Sequence, residues 1–564
     1  MGRCLSAIKR FSDKIRLKRS YPFLVVAILI ALELLMARQG LNLYDDGFVL
    51  TAYRQIFVSP GSVSYMFLYY WLINIGGLWN ALFGSFGIYG FRVLECITIA
   101  ANMALVWSLL RRAVPKGLIL SGFVMTFLMI ANVEVFEYNT FSAFASLAVI
   151  AFMMKALGGK GRKWMFLAGF LAGLNVFVRL PNVCMSMFIL VLLPYFYYTK
   201  DGSSTLRLFL SAVAGMLGGV LFTLVFMSAA GHLAYFEDAL KVVMALAGNE
   251  ENSHGLGRML FTTFYVHAHS AVSLILSLLC PAFALLLIAR LRNRRCAVLC
   301  CVLLLAVHLV VLYRFVDRLL FLLNSAALVS CLYVSYVRRD EPRVVYLSSL
   351  AFLMNVLLPL GSDGGIVTIG VHSLWLAMPF IPYAAFLVLQ KFTGVRRKTV
   401  LAFVVLSFCF IAFKALNRIK GPAYYEHGTR FDNVCRVDHP LANVLTDKKT
   451  AASLSDFLSA MSTEISEGDT VFFINSPMLH YLTGTRPYLD NPWPGIFGRD
   501  YFVKQLARAR AASSCLPVVA YKRDDYELRD DDNISELVEA FLSENGYVEA
   551  YKNDNYIMFV PPRK

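Results

Sequence analysis

Residues 36–57 read MARQGLNLYDDGFVLTAYRQIF. They follow an apolar run at 21–35 that is preceded by Lys9, Arg10, Lys14, Arg16, Lys18 and Arg19. A basic flank, a hydrophobic helix and then an acid pair, Asp45-Asp46, describe a chain that crosses a membrane and emerges with two carboxylates at the mouth of its first span. Acids in that position can serve as a general base toward a hydroxyl while a lipid-linked reactant stays at the bilayer surface. They can equally be a solvated helix start. The basic N-terminus imitates a signal peptide, but no small-residue cleavage site follows Leu35, so a retained first helix with residues 1–20 in the cytoplasm is expected.

Composition agrees with a polytopic membrane protein. The 564 residues are 58% hydrophobic and 16% charged, with a mean hydropathy of +0.61, outside the range of a soluble domain. The net charge of +16 resides mainly in short loops between apolar runs, which excludes a contiguous nucleic-acid patch. The 11 cysteines show no metal-ligand or redox spacing; Cys435 and Cys515 alone are placed to pair in an oxidising compartment.

A helix needs roughly 20 apolar residues to cross the hydrocarbon. That ruler predicts about thirteen spans, near 21–38, 88–110, 118–136, 140–157, 164–180, 183–198, 206–230, 266–290, 296–313, 319–337, 344–360, 371–391 and 399–417. Parity excludes 63–83 as a full crossing. With that stretch lying along the outer interface, the clusters Lys160-Arg162-Lys163, Lys200-Arg207, Arg290 to Arg295, Arg338-Arg339-Arg343 and Arg396-Arg397-Lys398 all fall on the inner side. The outer face then receives a long first loop, 39–87, and everything after 418. In 418–564 the runs GDTVFFIN, LPVVAYKRD, GYVEAY and NYIMFVP predict short strands between helices, a small extracytoplasmic α/β domain. The expected division is thus 1–20, a membrane domain at 21–417, and 418–564.

Several of these features together resemble the GT-C superfamily of polyprenyl-phosphate-dependent glycosyltransferases. They are the acid pair, Pro60 followed by Tyr69-Tyr70-Trp71-Leu72, the Phe83-Gly84 turn, and Gly87 to Arg92-Val93-Leu94 opening the second span. The order is similar to that of bacterial lipid A aminoarabinose transferases and protein O-mannosyltransferases. The resemblance implies a GT-C fold and puts the catalytic carboxylate on Asp45, with Asp46 beside it. A second acid before the fourth family helix falls on Glu137, or on Glu134, in ANVEVFEYNTF. GLNVFVRLPN is similar to a family turn that sets Arg179 at the headgroup level, where a guanidinium can grip a phosphodiester; a snorkelling helix end is the alternative. Arg92, Tyr69, Tyr70, His254 and Arg258 complete the expected substrate contacts. His267, His269 and His372 are further outer-face candidates, Arg314, Asp317 and Arg318 read as a local ion-pair cluster at a helix turn, and Asp490, Trp493 and Arg499 are either carbohydrate contacts of the C-terminal domain or parts of a structural turn.

What the resemblance implies is an inverting transfer from a polyprenyl-phosphate sugar to a lipid, glycan or protein acceptor, at the periplasmic face of a bacterial inner membrane. The acid pair with Glu137 could hold a divalent cation through oxygen ligands, but relatives of the aminoarabinose type carry no catalytic metal at these acids, so the resemblance implies no metal and no cofactor; the scattered basic loops leave no nucleic-acid partner. Two rival readings remain at this stage. A lipid-linked sugar flippase or other transporter would show the same spans, although the acids concentrate in outer loops rather than mid-membrane. A non-catalytic scaffold presenting the C-terminal domain would leave the acidic first loop unexplained.

Overall fold

The computed structural model describes residues 21–247, 256–291, 293–315, 319–362, 364–424, 426–513, 515–523 and 534–562. His254, Asp317 and Arg318 lie outside them.

Among the described residues, eight helical stretches are long and apolar enough to cross a membrane, and four shorter apolar helices accompany them at Tyr21–Met36, Lys116–Met129, Pro342–Leu357 and Phe380–Lys391. Each run predicted as a span contains a helix, including Arg162–Val176, which carries too much polarity to stand out by hydropathy. These helices share one large apolar core, while many Leu, Phe and Val side chains face outward, for example Leu217, Leu221, Phe264 and Leu299. An outward apolar belt is what a helix bundle presents to lipid.

The tightest helix pair is Arg162–Val176 against Gly202–Ala229. A Cβ at Gly169 would lie 2.0 Å from the Ala212 carbonyl oxygen, and one at Gly215 would lie 2.0 Å from that of Phe166. Gly173 and Gly219 meet the opposite backbone at 2.3 and 2.2 Å in the same sense. Small residues four apart on both helices let the backbones touch, which gains van der Waals contact where no hydrophobic force acts between helices in lipid.

The first loop is helical for most of its length: Asp45–Gln55, a 3₁₀ stretch at Pro60–Tyr69, and Tyr70–Phe83. It does not share the core of the spans. Leu43, Tyr53, Phe67 and Tyr70 pack with Leu454, Phe457, Val471, Met478 and Tyr481 of the C-terminal region in a second core.

That region holds a two-stranded ladder, β1 (Cys435–Arg436) with β2 (Leu445–Thr446), and a five-stranded sheet. The sheet is built from β3 (Thr470–Ile474), β4 (Arg486–Pro487), β5 (Val518–Lys522), β6 (Val548–Lys552) and β7 (Tyr556–Val560), in the order β4-β3-β5-β7-β6. β4, β3 and β5 run parallel and β7 is antiparallel to both its neighbours. The four expected strands are present, and the two-residue β1, β2 and β4 were too short to carry a period. Parallel strands need both faces covered: Phe473 faces the core shared with the first loop, and Phe472 faces one made with Phe502, Val538 and Phe541. Cys435 and Cys515 are both free thiols, so the expected pairing does not form.

Candidate active site

The site is organised by a buried guanidinium. Arg92, in the first turns of the helix Gly87–Leu110, is fully buried. Its Nη1 donates to the carbonyls of Ala37 at 3.1 Å and Gly40 at 2.9 Å, and its Nη2 donates to Asp46 Oδ2 at 3.0 Å. The Tyr424 ring covers its face at 4.7 Å. Asp46 Oδ1 in turn accepts from the Val135 amide at 3.3 Å. One Arg–Asp pair thereby joins the end of the first span, the helix Asp45–Gln55, the loop 130–137 and the segment that follows the last span. Burial raises the Asp46 carboxyl above its ordinary range, and the charge and hydrogen bond of Arg92 oppose that shift. Arg92 and Asp46 are thus placed as braces beneath the site surface rather than on it.

Asp45 is exposed, in the first turn of the helix that Asp46 anchors. Consecutive helical residues diverge by about 100°, so fixing Asp46 inward directs Asp45 outward. The helix is held from its other side by the C-terminal domain. Gly47 meets Met478 so closely that a Cβ would stand 2.1 Å from the Met478 nitrogen, Met478 N–H donates to the Leu43 carbonyl at 3.1 Å, and the Thr51 hydroxyl donates to the Pro477 carbonyl at 2.9 Å.

Glu134 and Glu137 share the loop that receives Asp46. Glu134 is pushed up to about 8, chiefly by burial and then by the charges of Asp46 and Asp45. Glu137 is raised well above its ordinary value by burial and by Glu134, Glu95 and Asp45. Its Oε2 accepts from Asn139 Nδ2 at 3.0 Å and its Oε1 lies 3.4 Å from His372 Nε2. A carboxylate cluster that repels its own ionisation can retain protons near neutral pH. No group of three or more His, Cys, Asp or Glu side chains among the described residues is arranged to hold a metal ion.

Tyr138 connects this acid cluster to a cation, for it lies within electrostatic reach of Glu137, Asp45 and Arg179. Its ring stacks on Tyr69 with centroids 4.8 Å apart. Arg179 is buried and donates to the carbonyls of Leu358 at 3.1 Å and Leu360 at 3.4 Å, so it also pins the turn after the helix Pro342–Leu357. Tyr70 points elsewhere: its hydroxyl is 3.2 Å from His232 Nδ1, on the side where the amphipathic helix Leu233–Ala247 packs. Arg258 is exposed on the helix Leu256–Arg290. The structure therefore sets Asp45, Glu137, Tyr69 and Arg179 about Tyr138, with Glu134 close to Asp45 and Glu137.

Two further contributors are set in place by the fold, Glu95, which the sequence did not single out, and Trp493, which it offered only as a carbohydrate contact of the C-terminal domain. Glu95, three residues beyond Arg92, accepts from the Thr140 hydroxyl from inside the bundle. From the C-terminal domain, Trp493 lays its half-buried ring against Tyr44 at 5.7 Å and Phe48 at 6.3 Å, the residues flanking the acid pair.

No protein-family profile and no curated protein matches the chain in sequence. Solved structures similar to it include ArnT from Cupriavidus metallidurans bound to undecaprenyl phosphate, at 12% identity and a TM-score of 0.44 over 96% of this chain and 98% of that one. The Archaeoglobus fulgidus oligosaccharyltransferase in complex with zinc and sulfate is similar at 12% identity and a TM-score of 0.46, over 88% of this chain and 68% of that one. The same oligosaccharyltransferase tethered to an acceptor peptide with an NVT sequon is similar at 11% identity and 0.45, over 97% and 74%.

Proposed function

We propose that this chain is a membrane glycosyltransferase of the GT-C type, moving a sugar from a polyprenyl-phosphate donor to a hydroxyl of a lipid, glycan or protein acceptor on the extracytoplasmic face. The observation that carries the reading is the division of labour within the acid pair. Asp46 is buried on Arg92 and orients the helix, so that Asp45 is presented to solvent beside the acids of loop 130–137, with Arg179 across Tyr138.

In this reading Asp45 accepts the acceptor's hydroxyl proton as the oxygen attacks the anomeric carbon. The C–O bond to phosphate breaks and its electron pair leaves with the lipid phosphate. That group develops a second negative charge, which a cation such as Arg179 stabilises. A phosphate leaving group needs no general acid, and one displacement inverts the anomeric centre. The residues invoked are side chains of this chain alone, with no cofactor. The inner membrane of a bacterium, with the C-terminal domain periplasmic, is the setting that fits the distribution of basic loops.

The test is transfer of radiolabel from polyprenyl-phosphate sugars to a membrane-extract acceptor pool by the purified protein in nanodiscs, with donor binding followed in parallel. Asp45→Asn is expected to bind donor and to lose transfer by a factor of about 100 or more. Undiminished transfer by Asp45→Asn would remove Asp45 from the role of base. Movement of labelled lipid across the bilayer without product would favour a transporter.

A further inference from the structure

Behind Glu137 runs a chain of side chains that the transfer reaction does not use. Glu137 Oε1 faces His372 Nε2 at 3.4 Å, His372 Nδ1 lies 3.1 Å from the Thr140 hydroxyl, and that hydroxyl bonds Glu95 Oε1. The four residues come from three places: the helix Gly87–Leu110, the start of the helix Tyr138–Lys155 with the residue before it, and the short helix Ile366–Ser373. Glu95 is buried, and its second oxygen has no hydrogen-bond partner among the described residues.

We propose that His372, Thr140 and Glu95 form a proton relay that positions Glu137 and sets its charge by passing one proton between the two carboxyl groups. Donor and acceptor counts restrict the chain. A hydroxyl has one proton to give, and a neutral imidazole donates from one nitrogen and accepts at the other. In one arrangement protonated Glu95 donates to Thr140, Thr140 donates to Nδ1, and Nε2–H donates to ionised Glu137. In the other, protonated Glu137 donates to Nε2, Nδ1–H donates to Thr140, and Thr140 donates to ionised Glu95. Both hold three protons and one negative charge. They interconvert by three hops, Glu95 to Thr140 oxygen, Thr140 to Nδ1 and Nε2 to Glu137, with nothing added or lost.

Of the two seats for the relay's one negative charge, Glu137 is the better solvated. Asn139 and His372 both donate to it there, whereas an ionised Glu95 would leave a buried oxygen unsolvated. An anion arriving at the site changes that balance. Glu137 already feels Glu134, Asp45 and Glu95, and Glu95 in turn feels Glu134 and Glu33; a phosphate at the site mouth adds its penalty first to the nearer carboxylate, Glu137. The relay lets that charge withdraw to Glu95, inside the bundle, with no proton drawn from solvent. This purpose rests on the proposed transferase reading; the relay itself rests on the hydrogen bonds of Thr140 to Glu95 and His372 and on the 3.4 Å approach of His372 to Glu137.

The two are tested separately. In full-length protein in nanodiscs carrying ¹⁵N-histidine, with His372→Gln to assign the resonances, the His372 nitrogens are expected to report both neutral tautomers, Nε2–H in excess and Nδ1–H gaining when polyprenyl phosphate is added. Thr140→Val breaks the chain and Glu95→Gln removes the titratable end while keeping an amide donor; each is expected to leave Nε2–H alone, and Thr140→Ser to restore the mixture. A single wild-type tautomer that none of these variants changes would overturn the relay. So would an imidazolium that persists in Glu95→Gln. The shape of the pH profile for sugar transfer is expected to change in Thr140→Val and to return in Thr140→Ser; an unchanged profile with an intact tautomer response would overturn the purpose alone. Absence of any transfer by wild type, with the tautomer response intact, would count against the transferase reading and leave the relay standing.

Discussion

Asp46 and Arg92 form an ion pair at 3.0 Å with both side chains withdrawn from solvent, and the carbonyls of Ala37 and Gly40 take the remaining reach of the guanidinium. Removing one partner of such a pair leaves an uncompensated buried charge. Arg92→Met is expected to destabilise by about 3–5 kcal/mol, and Asp46→Asn combined with Arg92→Met by less than the sum of the single changes. Thermal unfolding of the two single variants and the double variant measures the coupling. Strict additivity would mean that the pair does not brace the helix.

Gly47 is a second brace, through space rather than charge. A methyl group there would stand 2.1 Å from a backbone nitrogen, which cannot yield as a flexible side chain can. Gly47→Ala is therefore expected to push the helix Asp45–Gln55 off Pro477–Thr483 and to destabilise by about 1–3 kcal/mol. Because Asp45 rides on that helix, transfer is expected to fall by more than donor binding. Comparing the two in the variant checks the connection.

How far the chain was legible depends on whether a residue announces itself locally. Apolar runs of the right length and the alternating strands near 470, 518, 548 and 556 do so, and each run contains its element. The acid pair also stood out, and the resemblance put the catalytic carboxylate on Asp45, but the physical reason for setting Asp46 apart is the partner Arg92, 46 positions away, which holds it in the interior. Glu95 looked like part of an apolar span because its bond to Thr140 joins residues 45 positions apart. The sequence placed few charges within the spans, and Glu33 and Glu95 are nevertheless buried there. His372 was one of several isolated histidines until the fold set Glu137 and Thr140 against its two nitrogens.

The glycine contact between Arg162–Val176 and Gly202–Ala229 makes a prediction for the bundle. Gly215→Val would drive side-chain carbons into the Phe166 carbonyl, 2.0 Å from the Cβ position. Separation of the helices is expected, with a loss of about 1–3 kcal/mol. Gly218, whose Cβ would meet only ring carbons at 3.8 Å, is the matched control and is expected to tolerate Ala. Equal unfolding temperatures for Gly215→Val and Gly218→Ala would show that the backbones do not bear on one another.

Glu134 gives stability a pH dependence of definite sign. Its folded-state value of about 8 lies above the ordinary 4.5, so between the two the folded protein binds a proton that the unfolded chain has released. The corresponding stabilisation is complete below about 4.5 and is lost as pH rises through about 8. Wild type is therefore expected to lose thermal stability from pH 5 toward about 8, and Glu134→Gln, which cannot ionise, to show a flatter profile. A slope of the opposite sign would place the proton elsewhere in the cluster.

Trp493 is where the C-terminal domain reaches the acid pair. Its backbone N–H donates to Asn491 Oδ1 at 2.9 Å, which fixes the turn, and three residues before Trp493 Asp490 adopts a positive φ of 55°, a left-handed turn conformation that Asp tolerates. The ring is tilted 33° to Tyr44 and lies edge-on to Phe48 at 72°, so the C-terminal domain packs an aromatic ring on two buried rings next to the acid pair. In the proposed transferase, an aromatic ring packed beside the acid pair suits the apolar C–H face of a sugar ring. Because the side chain is half-buried, Trp493→Ala is expected to destabilise by only about 1–2 kcal/mol, too little to unfold the domain. Its larger effect is expected on transfer, a loss of about tenfold or more appearing in the acceptor KM, with donor binding retained and Trp493→Phe recovering most of the activity. If Trp493→Ala weakened donor binding and acceptor use in equal measure, the residue would be a wedge that holds the two domains together. A loss confined to the acceptor would make the C-terminal domain the part of the molecule that reads what receives the sugar.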